Sequence, residues 1–431
     1  MRTEPKLAGA TLWGVLAAAN VLVAAGAAQA GGFGVREQSV YFMGSAFAGS
    51  AAGTDISSMF WNSAATAAKT GCNSSSNMTF IFGRAEESGQ AGLLVTGATV
   101  RTSTDVGSDA AVPSSFTTCQ LTDQLYVGLG MNAPFGITTK ASDSPWAGSP
   151  IAMTSKVVSF DFNPTLAYKL TPELSIGVGL QAEYLSVKLT AGPFDGLLGS
   201  RTFDGNDWGF GATAGVLWQP SRAASVGLGY RSAVGVDVNG PFTATPGLLT
   251  GPPVATNATG KLVLPDEVTL SARYYLTPPL ALLGTIEWQN WSRLQNVAAV
   301  GTGCIAGTCE TLNLNYRDGW FYSVGVEYAY NPSLLLRMGV GYELSPIRDS
   351  NRDILVPDSN RVHLSVGASY SVTDRITADI GYLHIFFDDA PFCIGAGGGS
   401  SHCTASTSLV LLSGKADVST DILGFGLKYK F

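Results

Sequence analysis

From about residue 77 to the C-terminus, segment after segment alternates apolar and polar residues with period two. Such a segment is a strand whose two faces meet different surroundings. Within residues 158–170, Val158, Phe160, Phe162, Leu166, Tyr168 and Leu170 share one face, opposite Ser159, Asp161, Asn163, Thr165 and Lys169. Leu174, Ile176, Val178, Leu180 and Tyr184 oppose Ser175, Gly177, Gly179, Gln181 and Glu183. Trp320, Tyr322, Val324, Val326, Tyr328 and Tyr330 repeat the pattern, as do Ile376, Ala378, Ile380 and Tyr382. The chain is 45% hydrophobic and only 13% charged, yet after Ala30 it has no membrane-length run rich in Leu, Ile, Val and Phe. A chain this apolar without spanning helices must place its apolar surface by alternation.

A soluble β-sandwich also alternates, so the spacing of the connections has to decide. Tight connections lie near residues 170–173, 219–222, 277–279, 331–333 and 371–374. Long Gly/Ser/Pro/Asn-rich stretches separate them near residues 140–150, 190–206, 237–258, 293–312, 346–360 and 388–414. Short turns at one end and long loops at the other are the rhythm of a membrane barrel. One strand on each side of every connection, with two more before Cys119, gives about fourteen. The expected fold is therefore all-β, a transmembrane antiparallel β-barrel of about fourteen strands. The last strand agrees, because Phe425, Leu427, Tyr429 and the terminal Phe431 share a face; such an ending resembles the signal read by the barrel-assembly machinery.

The first thirty residues carry Arg2 and Lys6, an uncharged apolar run from Leu7, and Ala28-Gln29-Ala30, the three parts of a secretory signal. A transmembrane anchor is the alternative; Ala/Gly richness and the small residues at the end favour cleavage after Ala30. Removing Arg2, Glu4 and Lys6 leaves 23 basic against 31 acidic residues. A net negative chain without basic runs argues against nucleic-acid binding. The six cysteines of an exported chain are expected as disulfides, with Cys72 and Cys119 at the periplasmic ends of the first and third strands. Cys304 with Cys309, and Cys393 with Cys403, each fall inside one outer loop. No CxxC occurs and only His402 neighbours a cysteine, so no metal site and no cofactor is expected.

Residues 31–65 do not alternate. They read Gly31-Gly32-Phe33-Gly34-Val35-Arg36-Glu37-Gln38-Ser39, then Met43-Gly44-Ser45-Ala46-Phe47-Ala48-Gly49, then Asp55, Phe60 and Asn62-Ser63-Ala64. This resembles the N-terminal hatch of the FadL/TodX family of outer-membrane transporters. Gly128-Leu129-Gly130 with Ala133-Pro134-Phe135-Gly136 and Trp146, then Trp288-Gln289-Asn290-Trp291-Ser292, continue the resemblance. So do Tyr316-Arg317, Leu336-Arg337-Met338-Gly339, Ser345-Pro346, Pro357-Asp358 and Arg361.

The resemblance implies a signal peptide over residues 1–30, a hatch in the lumen over 31–72 and a barrel over 73–431. It implies uptake of long-chain fatty acids or similar hydrophobic compounds, with aromatic hydrocarbons as the alternative solute. The chain would be a monomer in the outer membrane, among lipid and lipopolysaccharide. Pro134 lacks an N–H and Gly136 tolerates distorted backbone, so Pro134-Phe135-Gly136 should break the ladder there. An ordinary β-bulge is the plainer reading; in the family the third strand kinks inward against the hatch and opens a side exit. Asn62, Ser63 and Ala64 match the family's Asn-Pro-Ala, and Ser63 removes the ring that would fix that turn.

The family's apolar capture groove maps onto loop residues Phe194, Leu197 and Leu198, then Phe242, Leu248 and Leu249, where packing of loop on loop is the bland alternative. Lys188, Arg231, Arg317 and Arg337 are candidate cations for a carboxylate headgroup, or partners for Asp161, Glu183 or Glu327. Lys188 and Arg317 rank first because they match segments that build the family's pocket. An outer-membrane lipid hydrolase and a structural or adhesive barrel are the rival classes. Of the three histidines, none lies in a nucleophile motif, so no catalytic residue is expected.

Overall fold

A computed structural model describes residues 31–91, 102–142, 146–192, 199–247, 252–395, 398–399 and 410–431. Fourteen antiparallel staves close into one barrel. They are β1 (Cys72–Ala91), β2 (Ser103–Asp105 and Asp109–Gln120), β3 (Leu125–Asn132 and Gly136–Lys140), β4 (Thr154–Lys169), β5 (Leu174–Ala191), β6 (Arg201–Ser221) and β7 (Ala224–Arg231 and Val234–Ala244). The rest are β8 (Val254–Leu264 and Glu267–Thr277), β9 (Leu280–Gln289 and Asn296–Val300), β10 (Thr308–Asn313 and Gly319–Asn331), β11 (Leu334–Leu344), β12 (Arg361–Ser371), β13 (Ile376–Phe387 and Ala390–Gly395) and β14 (Val410–Lys430). Closure comes from β1 against β14, in unbroken register from Asn73↔Lys430 to Ala91↔Leu412. No helix among the described residues is long and apolar enough to cross a membrane.

The alternation resolves into an apolar outside and a mixed inside. Leu166, Val178, Val216, Leu228, Val324, Val366, Ile380 and Phe425 all point outward and are exposed, as a surface facing hydrocarbon must. Inward positions are buried because residues 31–67 fill the lumen, with a short helix α1 (Val40–Met43) and two 3-10 turns, Ile56–Phe60 and Ser63–Ala67. Glycines stand where this insert touches the wall. A Cβ on Gly227 would meet the Ala51 carbonyl at 1.8 Å, and one on Gly229 the Trp61 carbonyl at 1.7 Å.

All five tight connections fall between staves as the sequence indicates. The long stretches differ from expectation: residues 201–206, 237–244, 254–258, 296–300, 308–312 and 390–395 are strand, extending the wall as hairpins beyond the hydrocarbon zone. There the outer face meets water and carries small or polar residues, while the inner face still buries Phe203, Val238, Phe242, Val297 and Phe392, so the Gly, Asn, Thr and Pro between them disguise the strand as loop. Cys72–Cys119 joins β1 to β2 and Cys304–Cys309 closes the hairpin above β9 and β10. Those two bonds match the expected pairs, except that Cys119 ends the second stave and not the third. Cys393 is also disulfide-bonded, while Cys403 lies outside the described residues.

Candidate functional site

The wall has a seam between β2 and β3. Staves β2 and β3 pair from Gln120↔Tyr126 up to Ser115↔Met131, and there the ladder stops. Above it, Gly136–Lys140 pairs only with β4, and residues 109–114 pair only with β1. The staves meet again higher up, where Lys140 N–H donates to Val106 O at 3.0 Å and Ser142 N–H to Asp105 O at 2.9 Å. The cause is local: Ala133-Pro134-Phe135 leaves the strand path, and Pro134 has no N–H to offer a neighbour.

The polar groups exposed by that break are taken up by the insert, since a buried backbone group without a partner is costly. Val35 N–H donates to Pro134 O at 2.7 Å, and Gly136 N–H to Phe33 O at 2.8 Å. The Gln38 amide copies a strand edge: its Nε2 donates to Ala133 O at 2.8 Å while its Oε1 accepts from Ala133 N–H at 3.0 Å. Ser114 Oγ donates to Gln38 O at 2.6 Å from the other lip. Residues 33–38 thus stand in for the missing rungs. Phe33, Phe135 and Trp291 pack edge to face around the upper end, with centroids 4.9–6.1 Å apart.

Away from the seam the insert is held by charge. Arg36 bonds Glu287 of β9 and, at 3.0 Å, Glu343 of β11. Glu343 also receives Arg361 Nε at 2.9 Å and lies 3.1 Å from His363 Nε2. Tyr41 Oη donates to Glu327 at 2.5 Å, and Lys428 of β14 bridges Asp55 at 2.9 Å and Asp379 at 3.0 Å. Burial pushes the Asp55 carboxyl up, yet the Lys428 ammonium and the Ser57 hydroxyl and N–H outweigh it and hold the group below the usual carboxylate range. Glu37, beside Arg36, has no hydrogen-bond partner for either carboxylate oxygen, and burial raises it to about 7 against the attraction of Arg36. The Asn62 side chain caps the turn at Ala64 N–H and donates to Ala51 O and Val216 O; Ser63 Oγ donates to Thr213 Oγ1 at 2.6 Å.

Two cavities flank this assembly. One, of about 110 Å³, lies toward the long-loop end among Val187, Leu189, Phe203, Phe242, Leu262 and Leu314. At its edge Arg201 pairs with Glu310 at 3.3 Å. The second, of about 20 Å³, lies at the seam between Val35, Pro134, Phe135, Arg231, Leu264 and Gln289.

Phe242 lines the larger cavity; Phe194, Leu197, Leu198, Leu248 and Leu249 lie outside the described residues. Lys188, expected near an inward face, points outward instead, 46% exposed and paired with Asp204 at 3.0 Å. Parity requires it, because Val187 and Leu189 face the lumen and a strand residue between them cannot. Arg317 is exposed and its Nε donates to Ser345 O at 3.0 Å, a loop-positioning bond and not a buried headgroup site. Arg231 and Arg337 do face inward: Arg231 pairs with Asp161 at 2.8 Å, and Arg337 lies 3.5 Å from Asp379. Arg36, Arg201 and Arg361 were not among the candidate cations. Arg201 hid in a stretch that reads as loop, and the partners of Arg36 and Arg361 only meet in the closed barrel.

Several known proteins are similar to this chain. The family described as outer membrane protein transport protein (OMPP1/FadL/TodX) matches residues 21–431. Outer membrane protein P1 of Haemophilus influenzae is 29% identical over 421 residues, covering 86% of this chain and 89% of that protein. A long-chain fatty acid transport protein of Salmonella typhi is 26% identical over 318 residues, covering 65% and 71%. Among solved structures, a Pseudomonas aeruginosa FadL homologue superposes with a TM-score of 0.82 at 20% identity, covering 93% of this chain and all (100%) of that one. The Pseudomonas putida toluene transporter TodX gives 0.68 at 14% identity, covering 93% and 100%. At those identities the two structures speak to fold alone.

Proposed function

The chain belongs to the OMPP1/FadL/TodX family of outer-membrane transport proteins, and from that premise we propose that it takes up long-chain fatty acids or similar hydrophobic compounds through the seam in its wall. It is a hydrophobic-compound channel of the bacterial outer membrane and not an enzyme. A water-filled pore would offer such solutes no apolar surface; they need a stepwise apolar path. In this reading the outer loops deliver solute to the cavity around Phe203 and Phe242, where Arg201 supplies a cation for a carboxylate. The solute then moves past Trp291 and Phe135 to the seam and leaves sideways into lipid once residues 33–38 withdraw.

The observation that carries the proposal is the substitution of hatch bonds for strand bonds between Ala133 and Gly136, which makes the exit openable without tearing a ladder. Joining the two sides should close it. A Gln38→Cys, Ala133→Cys double variant is expected to lose uptake of radiolabelled oleate when oxidised and regain it when reduced, beside the unmodified protein under the same reductant. Undiminished uptake by the oxidised, cross-linked channel would overturn lateral release.

An aromatic hydrocarbon is the second reading, favoured by the cavity's modest 110 Å³, which suits a compact ring better than a full acyl chain. Arg201→Ala separates the two. Oleate uptake should fall and toluene uptake hold if the solute is an acid; equal effects on both would remove the headgroup role of Arg201.

A further inference from the structure

The cluster that fixes Arg36 also receives the start of the hatch. Gly31 N donates to Glu343 Oε1 at 3.1 Å and Gly32 N to Asp358 Oδ2 at 2.9 Å, and all four residues are buried. The pocket is tight: a Cβ on Gly31 would meet Glu343 Oε1 at 2.7 Å, and Gly32 adopts φ +64° against Trp291 and Pro346. Its charges do not balance. Around it the buried Glu37, Glu287, Glu343 and Asp358 meet two guanidinium partners among the described residues, Arg36 and Arg361, with the His363 imidazole beside Glu343. An uncompensated buried carboxylate is costly, so a third cation in this cage would be strongly favoured.

Cleavage after Ala30 would create that cation in place. We propose that the α-ammonium of Gly31, released when the leader is removed, is a structural ion-pair partner of Glu343 and Asp358 that fastens the hatch to β11 and to the segment before β12. The peptide N–H of an uncleaved chain brings one hydrogen and no charge to Glu343. The hydrolysed amine brings three hydrogens and a full charge to the same position. Peptide-bond hydrolysis consumes one water, leaving the Ala30 carboxylate on the leader and the protonated amine on the hatch. Processing would therefore complete the site as well as free the chain. The inference rests on cleavage at Ala30 and on no assumption about the solute.

The test uses the exported, full-length protein in detergent. Intact mass should place the mature start at Gly31. Reductive dimethylation with formaldehyde and a borane, mapped by peptide, should label the Gly31 amine at least about tenfold more slowly in the folded barrel than in the unfolded chain. Exposed Lys261 should react alike in both. Glu343→Gln, and separately Asp358→Asn, should abolish most of the protection in protein that still runs as a folded barrel. If neither variant folds, the wild-type contrast decides alone. A different mature start, an amine as reactive folded as unfolded, or protection unchanged in a folded Glu343→Gln barrel would each overturn the proposal.

Discussion

The hatch meets two kinds of wall. Toward β2 and β3 it is held by neutral hydrogen bonds to main chain, at Val35, Phe33 and Gln38, and by aromatic edges. Toward β9, β10, β11 and β14 it is held through charged side chains in the lumen: Arg36 on Glu287 and Glu343, Asp55 on Lys428, and the neutral Tyr41 hydroxyl on Glu327. Neutral bonds exchange cheaply for water or for one another, whereas an ion pair broken inside the barrel strands two charges. The difference assigns a fixed side and a yielding side to one short segment, in which Val35 and Arg36 are adjacent.

If that division is right, the largest effect belongs to the charged side. Arg36→Leu leaves Glu287 without its guanidinium and is expected to cost about 3–5 kcal/mol. Urea unfolding followed by the gel-mobility shift of the barrel measures it. A loss smaller than that of any seam variant would invert the comparison.

Glu37 sharpens it, because it sits between the two sides with no hydrogen-bond partner for its carboxyl group. Its carboxyl titrates near 7 in the fold and near 4.5 in the unfolded chain, the shift of a group whose charged form is disfavoured by burial. Below 4.5 both states hold the proton and there is no penalty. As pH rises to 7 only the unfolded state releases it, so stability falls by about 3 kcal/mol and then levels off. Glu37→Gln should flatten that slope and be more stable than wild type at pH 8 by roughly the same amount, less the cost of its unmet amide N–H groups. A pH profile identical to wild type would place the titration elsewhere.

On the seam, Gln38→Leu removes three bonds, to Val35 O, Ala133 O and Ala133 N–H, and leaves main-chain groups buried. The expected cost is about 1–3 kcal/mol, with faster hydrogen exchange confined to residues 33–38 and 133–136. Exchange that accelerates equally across β9 to β11 would show that the hatch moves as one body and has no yielding side.

These regions were unequally legible in the sequence. Staves such as β4 and β5 announce themselves because alternation is local and each residue's surroundings are set by its own parity. The break at Pro134 was legible for the same reason, since it follows from one missing N–H. The ion pairs were not: Arg36 and Glu287 lie 251 positions apart and meet only when the barrel closes. Lys188 failed at the boundary between regimes, where the strand runs on past the hydrocarbon and outward positions become charged. The hatch, having no period, was visible only through its resemblance to a family.

The smallest expected effect concerns Ser63, where that family places proline. Ser63 is the first residue of the 3-10 turn Ser63–Ala67, a position whose N–H lacks a partner within the turn and whose geometry suits proline. Asn62 before it is extended, at φ −150° and ψ 104°, which is the conformation a following proline demands. Ser63→Pro would therefore forfeit only the hydroxyl bond to Thr213, about 1 kcal/mol, while restricting the unfolded chain returns roughly 0.4–1 kcal/mol. The net should lie near zero by urea unfolding. Thr213 is left in a buried row with Asn163, whose Nδ2 lies 3.5 Å from its hydroxyl, so that residue can take up the orphaned group. A loss well beyond about 1 kcal/mol would mean that Ser63 fastens the hatch to β6 and is not a tolerated stand-in for a rigid turn.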